Sequence, residues 1–146
     1  MRVTNFLTTL ALVASTAFAA TNTLANHCDH SVWYTQVGGD QQATLPVEIS
    51  PGESVDEAQF FLVSGTAIKF TKAASAESVL QFAYSYQAGV SIYYSLDNIG
   101  DFDYLGKKIT LKGNGSPSIV WNGNVGSTRT QAFLGGEKDL TFTLCA

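Results

Sequence analysis

The sequence predicts an all-β fold, an antiparallel β-sandwich of about nine or ten short strands. Apolar and polar residues alternate with a period of two in most segments, which is the pattern of strands with one buried face. Thirteen glycines recur along the chain, many of them between these segments, and mark frequent turns. No segment after residue 20 carries a helical apolar stripe over three turns, so the packed layers are expected to be sheets.

The clearest element is a β-hairpin that turns at Ala88-Gly89. Large apolar and aromatic residues alternate with small or polar ones on both sides of the turn. The expected inward set is Leu80, Phe82, Tyr84 and Tyr86 on the first strand and Val90, Ile92, Tyr94 and Leu96 on the second. Each strand should turn this face to the core and leave the other face, including Tyr93, outside.

The remaining strands are predicted from shorter stretches of the same alternation. They cover residues 31–38, 45–49, 54–62, 67–72, 108–112, 118–121, 127–133 and 140–144. Pro46 places the second of these at a sheet edge, because proline cannot donate to a strand ladder. Residues 21–26 are expected to be a loose leader, and residues 73–77 a connection of at most one helical turn.

Residues 1–19 fit a secretory signal peptide. Met1-Arg2 is a short basic start, an apolar stretch follows, and Ala17-Phe18-Ala19 has the small residues that signal peptidase requires. Cleavage after Ala19 would leave residues 20–146 as a single domain, and Thr23-Leu24-Ala25 is a weaker second site. A buried N-terminal helix is the alternative. The pattern predicts a secreted, extracellular protein.

Charge and composition exclude several classes of partner. Twelve acidic against eight basic residues give a net charge of −4. The basic residues are scattered, with only Lys107-Lys108 adjacent, so neither nucleic acid nor an anionic membrane surface is an expected partner. No apolar run after the first twenty residues approaches the roughly 18 residues of a membrane span.

Cys28 and Cys145 are the two cysteines of the sequence. In an oxidising compartment an even number favours pairing, and two cysteines allow one intramolecular bridge, from the first strand to the last. Two free thiols or an intermolecular bridge are the alternatives. Because oxidation would remove the Cys28 thiolate, the cluster His27-Cys28-Asp29-His30 is not expected to bind a metal. No cofactor is predicted.

Three acids follow the hairpin in a loop expected over residues 97–106: Asp97, Asp101 and Asp103. Glycoside hydrolysis needs two carboxylates about 5 to 9 Å apart, which this loop could supply. Short acids in a glycine-containing loop more commonly hydrogen-bond to their own backbone and stay solvated. Their spacing does not match a calcium-binding loop.

Exposed aromatic rings beside acids and amides suit sugar recognition, because the ring stacks and polar groups fix the orientation. Tyr93 is expected on the outer face of the hairpin, and Phe102 and Tyr104 flank the acids. The alternative for each ring is packing in the core. The candidate ligand-binding residues are Gln81, Tyr93, Ser95, Asp97, Asp101, Asp103 and Tyr104.

Asn114-Gly115-Ser116 is a glycosylation sequon in a predicted turn, although Pro117 directly after it is unfavourable. No nucleophile elbow or catalytic-triad spacing is visible, so no catalytic residue is predicted.

Seven short motifs follow one another in a characteristic order over most of the chain after residue 20. They are Asn26-His27-Cys28, Leu45-Pro46, Pro51-Gly52, Ala67-Ile68-Lys69-Phe70, Gln81-Phe82-Ala83-Tyr84, Ile92-Tyr93-Tyr94-Ser95-Leu96-Asp97 and Asp139-Leu140-Thr141-Phe142-Thr143-Leu144-Cys145. In this order they resemble the thaumatin-like superfamily and, within it, the small fungal Blastomyces yeast-phase-specific protein family. The resemblance implies a β-sandwich whose first and last cysteines pair. The family usually has more than two cysteines, so this chain would be a disulfide-poor relative.

The resemblance also bears on catalysis. In the larger thaumatin-like proteins the acidic cleft includes a Glu in the strand matching Gln81-Phe82-Ala83 and an Asp after the tyrosine matching Tyr94. Here those positions are Gln81 and Ser95, and neither can act as the ionised base or nucleophile of glycoside hydrolysis. Asp97 and Asp101 could substitute only from less precisely held loop positions. The resemblance therefore implies weak recognition of a neutral polyol rather than hydrolysis.

Three functions follow as hypotheses. The first is a secreted, non-enzymatic binding protein of effector or antifungal class, with wall glucan or a host extracellular protein as partner. The second is a β-1,3-glucan hydrolase or glucan-binding protein with an acidic cleft, and the third is a structural wall protein. Glucan pull-down separates binding from the third, and sugar release identifies hydrolysis.

Overall fold

Eleven β-strands make up the regular structure of residues 20–60, 64–74 and 77–146, the parts of the chain that a computed structural model describes. They are β1 (Thr21–Asn26), β2 (Val32–Val37), β3 (Val47–Ile49), β4 (Ser54–Ala58), β5 (Thr66–Thr71), β6 (Val79–Gln87), β7 (Ser91–Ile99), β8 (Lys108–Gly113), β9 (Ile119–Asn122), β10 (Gln131–Phe133) and β11 (Leu140–Leu144). The signal peptide predicted for residues 1–19 lies outside the described residues. No helix in the described parts has the length and hydropathy to cross a membrane.

The strands form two sheets, which confirms the predicted all-β sandwich. The first has five strands in the order β4-β1-β11-β8-β9, and the second has six in the order β10-β7-β6-β5-β2-β3. Neighbouring strands are antiparallel except β1 and β11, which pair in parallel. Pro46 immediately precedes β3, which lies at a sheet edge as the proline predicted.

Aromatic rings from both sheets meet in the core. Phe142 of β11 stacks on Phe70 of β5 with ring centroids 4.3 Å apart. The ring of Phe82, in β6, also stacks on Phe142, with centroids 6.2 Å apart. At the edge of the first sheet Trp121 is buried, and its indole N–H donates to the Ser127 carbonyl at 3.1 Å. Stacked and offset rings add to the hydrophobic gain of burial, so these contacts hold the two sheets together.

The hairpin has the faces predicted from its alternation. In β6 and β7 the inward residues Phe82 and Leu96 pair across the strands, as do Tyr84 and Tyr94, and all four are almost completely buried. The prediction for Val90 is wrong, because this residue is 52% exposed. The turn is one residue longer than expected: Val90 N–H donates to the Gln87 carbonyl at 2.9 Å, and the strand resumes at Ser91.

The interpretation of residues 21–26 as a loose leader is wrong. They form β1, which lies inside the first sheet between β4 and β11. Leu24 has no exposed surface, and the buried Asn26 amide donates to the carbonyls of His30 at 2.8 Å and Ile49 at 2.9 Å. The polar, threonine-containing stretch gives a weak strand signal by itself, and its two partner strands lie 28 or more residues away in the sequence.

The predicted disulfide between Cys28 and Cys145 is present, with the two Cα atoms 5.0 Å apart and a sequence separation of 117. The cysteines follow the ends of β1 and β11, so the bridge closes the parallel strand pair. Next to it, His27 N–H donates to the Leu144 carbonyl at 3.0 Å. In the described ranges no three His, Cys, Asp or Glu side chains are placed to hold a metal ion.

We expect that a chain beginning at Asn26, the product of cleavage at the second predicted site, does not fold. It would lack β1 and leave β4 and β11 with unpaired backbone groups. The thermal melts of chains 20–146 and 26–146, followed by circular dichroism, test this directly. A single change tests the same contact: Leu24→Ala should lower the free energy of unfolding by about 2–5 kcal/mol. Leu45→Ala is the matched control, since Leu45 is 86% exposed. An unchanged cooperative melt for chain 26–146 would contradict this account.

The disulfide should carry a large part of the stability. Closing a loop of this length contributes up to about 4–5 kcal/mol in the chain-entropy model, against a typical domain stability of about 5–15 kcal/mol. Cys145→Ser should therefore lower the melting temperature by roughly 10 °C or more. The double variant Cys28→Ser/Cys145→Ser should lose about the same amount, because both remove one bond. Peptide mass spectrometry that finds both thiols free in the native protein would overturn the prediction.

Candidate functional site

A polar groove of about 400 Å³ crosses the outer face of the six-stranded sheet. Strands β2, β5, β6 and β7 and the loops that follow β2 and precede β5 supply its walls. The lining residues are Val37, Gly38, Gly39, Gln41, Ser64, Gly65, Thr66, Ala67, Lys69, Gln81, Ala83, Tyr84, Ser85, Tyr93, Tyr94, Ser95 and Thr130. The concave surface thus combines several hydroxyls with the Gln81 amide, the Lys69 ammonium and the exposed Tyr93 ring.

The register of the strands explains where the groove lies. Val37 pairs with Ala67, Ala67 with Ala83, and Ala83 with Ser95, so a row of short side chains crosses four strands. In the next row Lys69 pairs with Gln81, and both side chains are longer. On the other side Ser85 pairs with Tyr93. The short row forms the floor, and the longer side chains on either side form the walls.

Two glycine-containing loops close the end of the groove beside β2 and β5. Gly65 has φ +81°, and a Cβ atom there would lie 3.0 Å from the Tyr84 carbonyl oxygen. A Cβ atom on Gly39 would overlap the Ser64 hydroxyl at 1.5 Å. The loops therefore pack against each other and against β6 only because both positions lack a side chain.

Three of the predicted ligand-binding residues lie in this groove: Gln81, Tyr93 and Ser95. Tyr93 is 45% exposed, as its place on the outer face predicted, whereas the neighbouring Tyr94 is buried. Asp97 pairs directly with Gln81 and lies on the same face, beyond the residues that line the groove. The other three predicted residues do not line it.

The acids do not form the loop cluster that was expected. Asp97 belongs to β7, which runs to Ile99, and its carboxylate accepts the Asn98 backbone N–H at 2.8 Å. Asp101 is exposed in the following loop, where the Asn98 amide donates to the backbone carbonyls of Gly100 at 2.9 Å and Asp101 at 3.3 Å. The longer strand separates Asp97 from the loop acids, and the loop is closed by local hydrogen bonds of the kind common in turns.

Tyr104 is 2% exposed, so of the two alternatives left open for this ring the structure shows packing in the core. Its ring lies edge-on to Phe102 with centroids 6.2 Å apart, and the Lys72 ammonium is 5.5 Å from its centroid. Burial, together with the charge of Asp103, raises the pKa of the Tyr104 hydroxyl well above its usual value. Asp103 itself is half-buried beside this ring rather than in the groove. The segment that follows β7 therefore adds to the core.

The polar side chains that line the groove are uncharged except for one. Among the described residues that line it there is no carboxylate, and Lys69 carries the charge. A glycosidase needs two carboxylic groups that flank the scissile bond. Lys69 was not among the candidate ligand-binding residues predicted from the sequence. Yet the alternation that turns Ile68 and Phe70 inward also turns Lys69 outward. The same rule would have identified Ala67 and Ala83 as part of the floor.

A second pocket of about 340 Å³ lies beside the disulfide. Its lining includes His27, Asp29, Lys107 and Lys108 and contains no Phe, Tyr or Trp ring. A hydrogen bond from His30, at 2.9 Å, lowers the pKa of the Asp29 carboxyl below its usual value. Charges of both signs thus meet there without the stacking surface that the groove offers.

Asn114 is exposed in the turn between β8 and β9, as its sequon predicted. Glycosylation at this position stays a prediction.

Comparison with known proteins finds a family and a fold. The family model described as Bys1, Blastomyces yeast-phase-specific protein, matches residues 9–146. The solved structure of the protein elicitor MoHrip2 from Magnaporthe oryzae aligns with a TM-score of 0.73 at 19% identity, over 88% of this chain and 100% of that one. The thaumatin-like xylanase inhibitor TLXI aligns with a TM-score of 0.58 at 12% identity, over 86% and 99%. A search of curated proteins finds no match.

We expect Gly65→Ala to destabilise the protein more than Gly52→Ala. Both glycines have nearly the same φ, +81° and +80°, but no atom lies within 4 Å of a Cβ at Gly52. Gly52→Ala should cost about 1–2 kcal/mol for the backbone conformation alone. Gly65→Ala should cost more, because its Cβ also presses on the β6 backbone at the floor of the groove. Urea unfolding of both variants measures the difference, and equal losses would show that the loop does not pack on β6 as described.

Proposed function

Because the chain belongs to the Blastomyces yeast-phase-specific protein family and has a thaumatin-like fold, we propose that it is a secreted, non-enzymatic binding protein. It acts at the fungal cell wall or at a host surface. Its groove on the six-stranded sheet takes a carbohydrate chain.

One observation carries the proposal: the groove combines an exposed tyrosine ring with hydroxyl and amide groups on a floor of small residues. Stacking on Tyr93 would supply apolar contact with the face of a sugar ring. Gln81, Ser85 and Ser95 are placed to hydrogen-bond with the sugar hydroxyls. Each such contact is weak in water, so affinity would come from several of them along the chain.

The position of Asp97 argues against hydrolysis. It is exposed on β7 and already accepts a hydrogen bond from the Asn98 backbone. The described lining of the groove contains no carboxylate that could act together with Asp97. Catalysis by paired acids would require a partner at a defined distance across the bound sugar. The hydrolase therefore stays the alternative function, with less support than binding.

Two features support an extracellular location. The disulfide between Cys28 and Cys145 is of the kind that persists in oxidising compartments. The preferred cleavage site also keeps the first described contacts, since Gln59 N–H donates to the Ala20 carbonyl at 2.7 Å and β1 starts at Thr21. Cleavage after Ala19 would leave every described residue of β1 in place.

A host extracellular protein is a second candidate partner. Two of the similar structures are those of a protein elicitor and of a xylanase inhibitor. They share the fold with this chain at 19% and 12% identity. This likeness supports a protein partner as a class.

Incubation with β-1,3-glucan tests the proposed function. We expect binding in a pull-down assay and no release of reducing sugar. Tyr93→Ala should weaken binding by about 2- to 10-fold, since an aromatic contact contributes about 0.5–1.5 kcal/mol. Tyr93→Phe keeps the ring and is the matched control.

Two outcomes would contradict the proposal. Sugar release that Asp97→Asn abolishes would show that the protein is a hydrolase. Absence of binding to glucans and to other wall polysaccharides, with the protein fully folded, would leave the structural wall protein as the better account.

A further inference from the structure

We propose that the preferred ligand of the groove is an extended acidic oligosaccharide, with a uronic-acid carboxylate at Lys69 and a sugar ring on Tyr93. This inference rests on the proposed binding function and specifies the chemical class of the ligand. It differs from the neutral polyol that the sequence resemblance implied.

Lys69 is the starting observation. It lies in the middle of β5, half-buried on the outer face, with Thr35 and Gln81 as its cross-strand neighbours. Over the described ranges no carboxylate lies within 4 Å of its ammonium group. A cation in a concave surface without a counter-ion attracts an anionic group, because the walls of the groove exclude part of the screening solvent.

Gln81 makes this position suited to a carboxylate. Its side chain is next to Lys69 in the same row, so an amide N–H and an ammonium N–H can donate to one pair of carboxylate oxygens. Hydrogen bonds between charged groups are shorter and about twice as strong as neutral ones. A neutral sugar hydroxyl at the same place would lack the attraction between opposite charges.

The register sets the length of the ligand. Tyr93 is on β7, two strands away from Lys69 on β5. Along β7 it lies four residues from Asp97, the residue in the same row as Lys69. With strands about 4.8 Å apart and residues about 3.4 Å apart, the two Cα atoms are separated by roughly 17 Å. One sugar ring cannot contact both side chains, so a ligand that uses both must be an extended chain. The small side chains of Ala83 and Ser95 leave the path between them open.

Asp97 orients the chain. It occupies the same row as Lys69, on the opposite side of Gln81, about 10 Å away by the strand spacing. Its negative charge repels a carboxylate from the β7 side of the groove. The acidic group is therefore expected over β5, and the uncharged part of the chain over Tyr93.

Titration calorimetry with two oligosaccharides of equal length tests the inference: a β-1,3-glucan oligomer that carries one terminal glucuronic-acid unit, and the unmodified neutral oligomer. We expect tighter binding of the acidic oligomer, and Lys69→Gln should weaken it by about 3- to 10-fold while weakening the neutral one much less. Added salt should weaken only the acidic oligomer. Tyr93→Ala should weaken both. Lys112→Gln is the matched control, because Lys112 is exposed on the other sheet.

The outcomes separate this inference from the proposed function. Neutral binding that depends on Tyr93, with no effect of Lys69→Gln on either oligomer, would overturn the inference and keep the binding function. Equal weakening by Lys69→Gln and Lys112→Gln would show general charge attraction, and would also overturn the inference. Binding of neither oligomer would overturn both proposals. Unchanged melting temperatures of the variants show that each result reports on binding.

Discussion

Burial of the inner face of the six-stranded sheet is the constraint on which the rest of the molecule depends. Ile68, Phe82 and Tyr94 are almost completely buried, and each lies beside an outward-facing residue in the sequence. A slip of one residue in the pairing would expose these side chains and bury Lys69 and Gln81. The core therefore fixes the register, and the register alone decides which side chains form the outer groove.

The first sheet supports this face from below. Phe142 of β11 contacts Phe70 of β5 and Phe82 of β6. These two rings are on the inner face of the strands whose outer face carries Lys69 and Gln81. Strand β11 is itself held by its parallel pairing with β1 and by the disulfide that closes the two strands. The cross-link in the first sheet thus helps to hold in place the strand that packs under the groove.

Sequence pattern predicted the parts of the structure that depend on local alternation. It placed Gln81, Tyr93 and Ser95 on one outer face, because the large inward residues around them admit no other assignment. It failed for β1, whose strand character comes from partners distant in sequence. It left Tyr104 open between exposure and core packing, because the burial of this ring depends on packing against Phe102 and Lys72. The groove floor combines residues from four strands, and no single stretch of sequence contains that information.

The most direct test of the central claim is a crystal structure of the protein soaked with an acidic oligosaccharide. The account predicts density along the row of Val37, Ala67, Ala83 and Ser95, with a ring on Tyr93 and a carboxylate at Lys69. Density at the loop of residues 100–106, or in the pocket beside the disulfide, with the outer face of the six-stranded sheet empty, would contradict it.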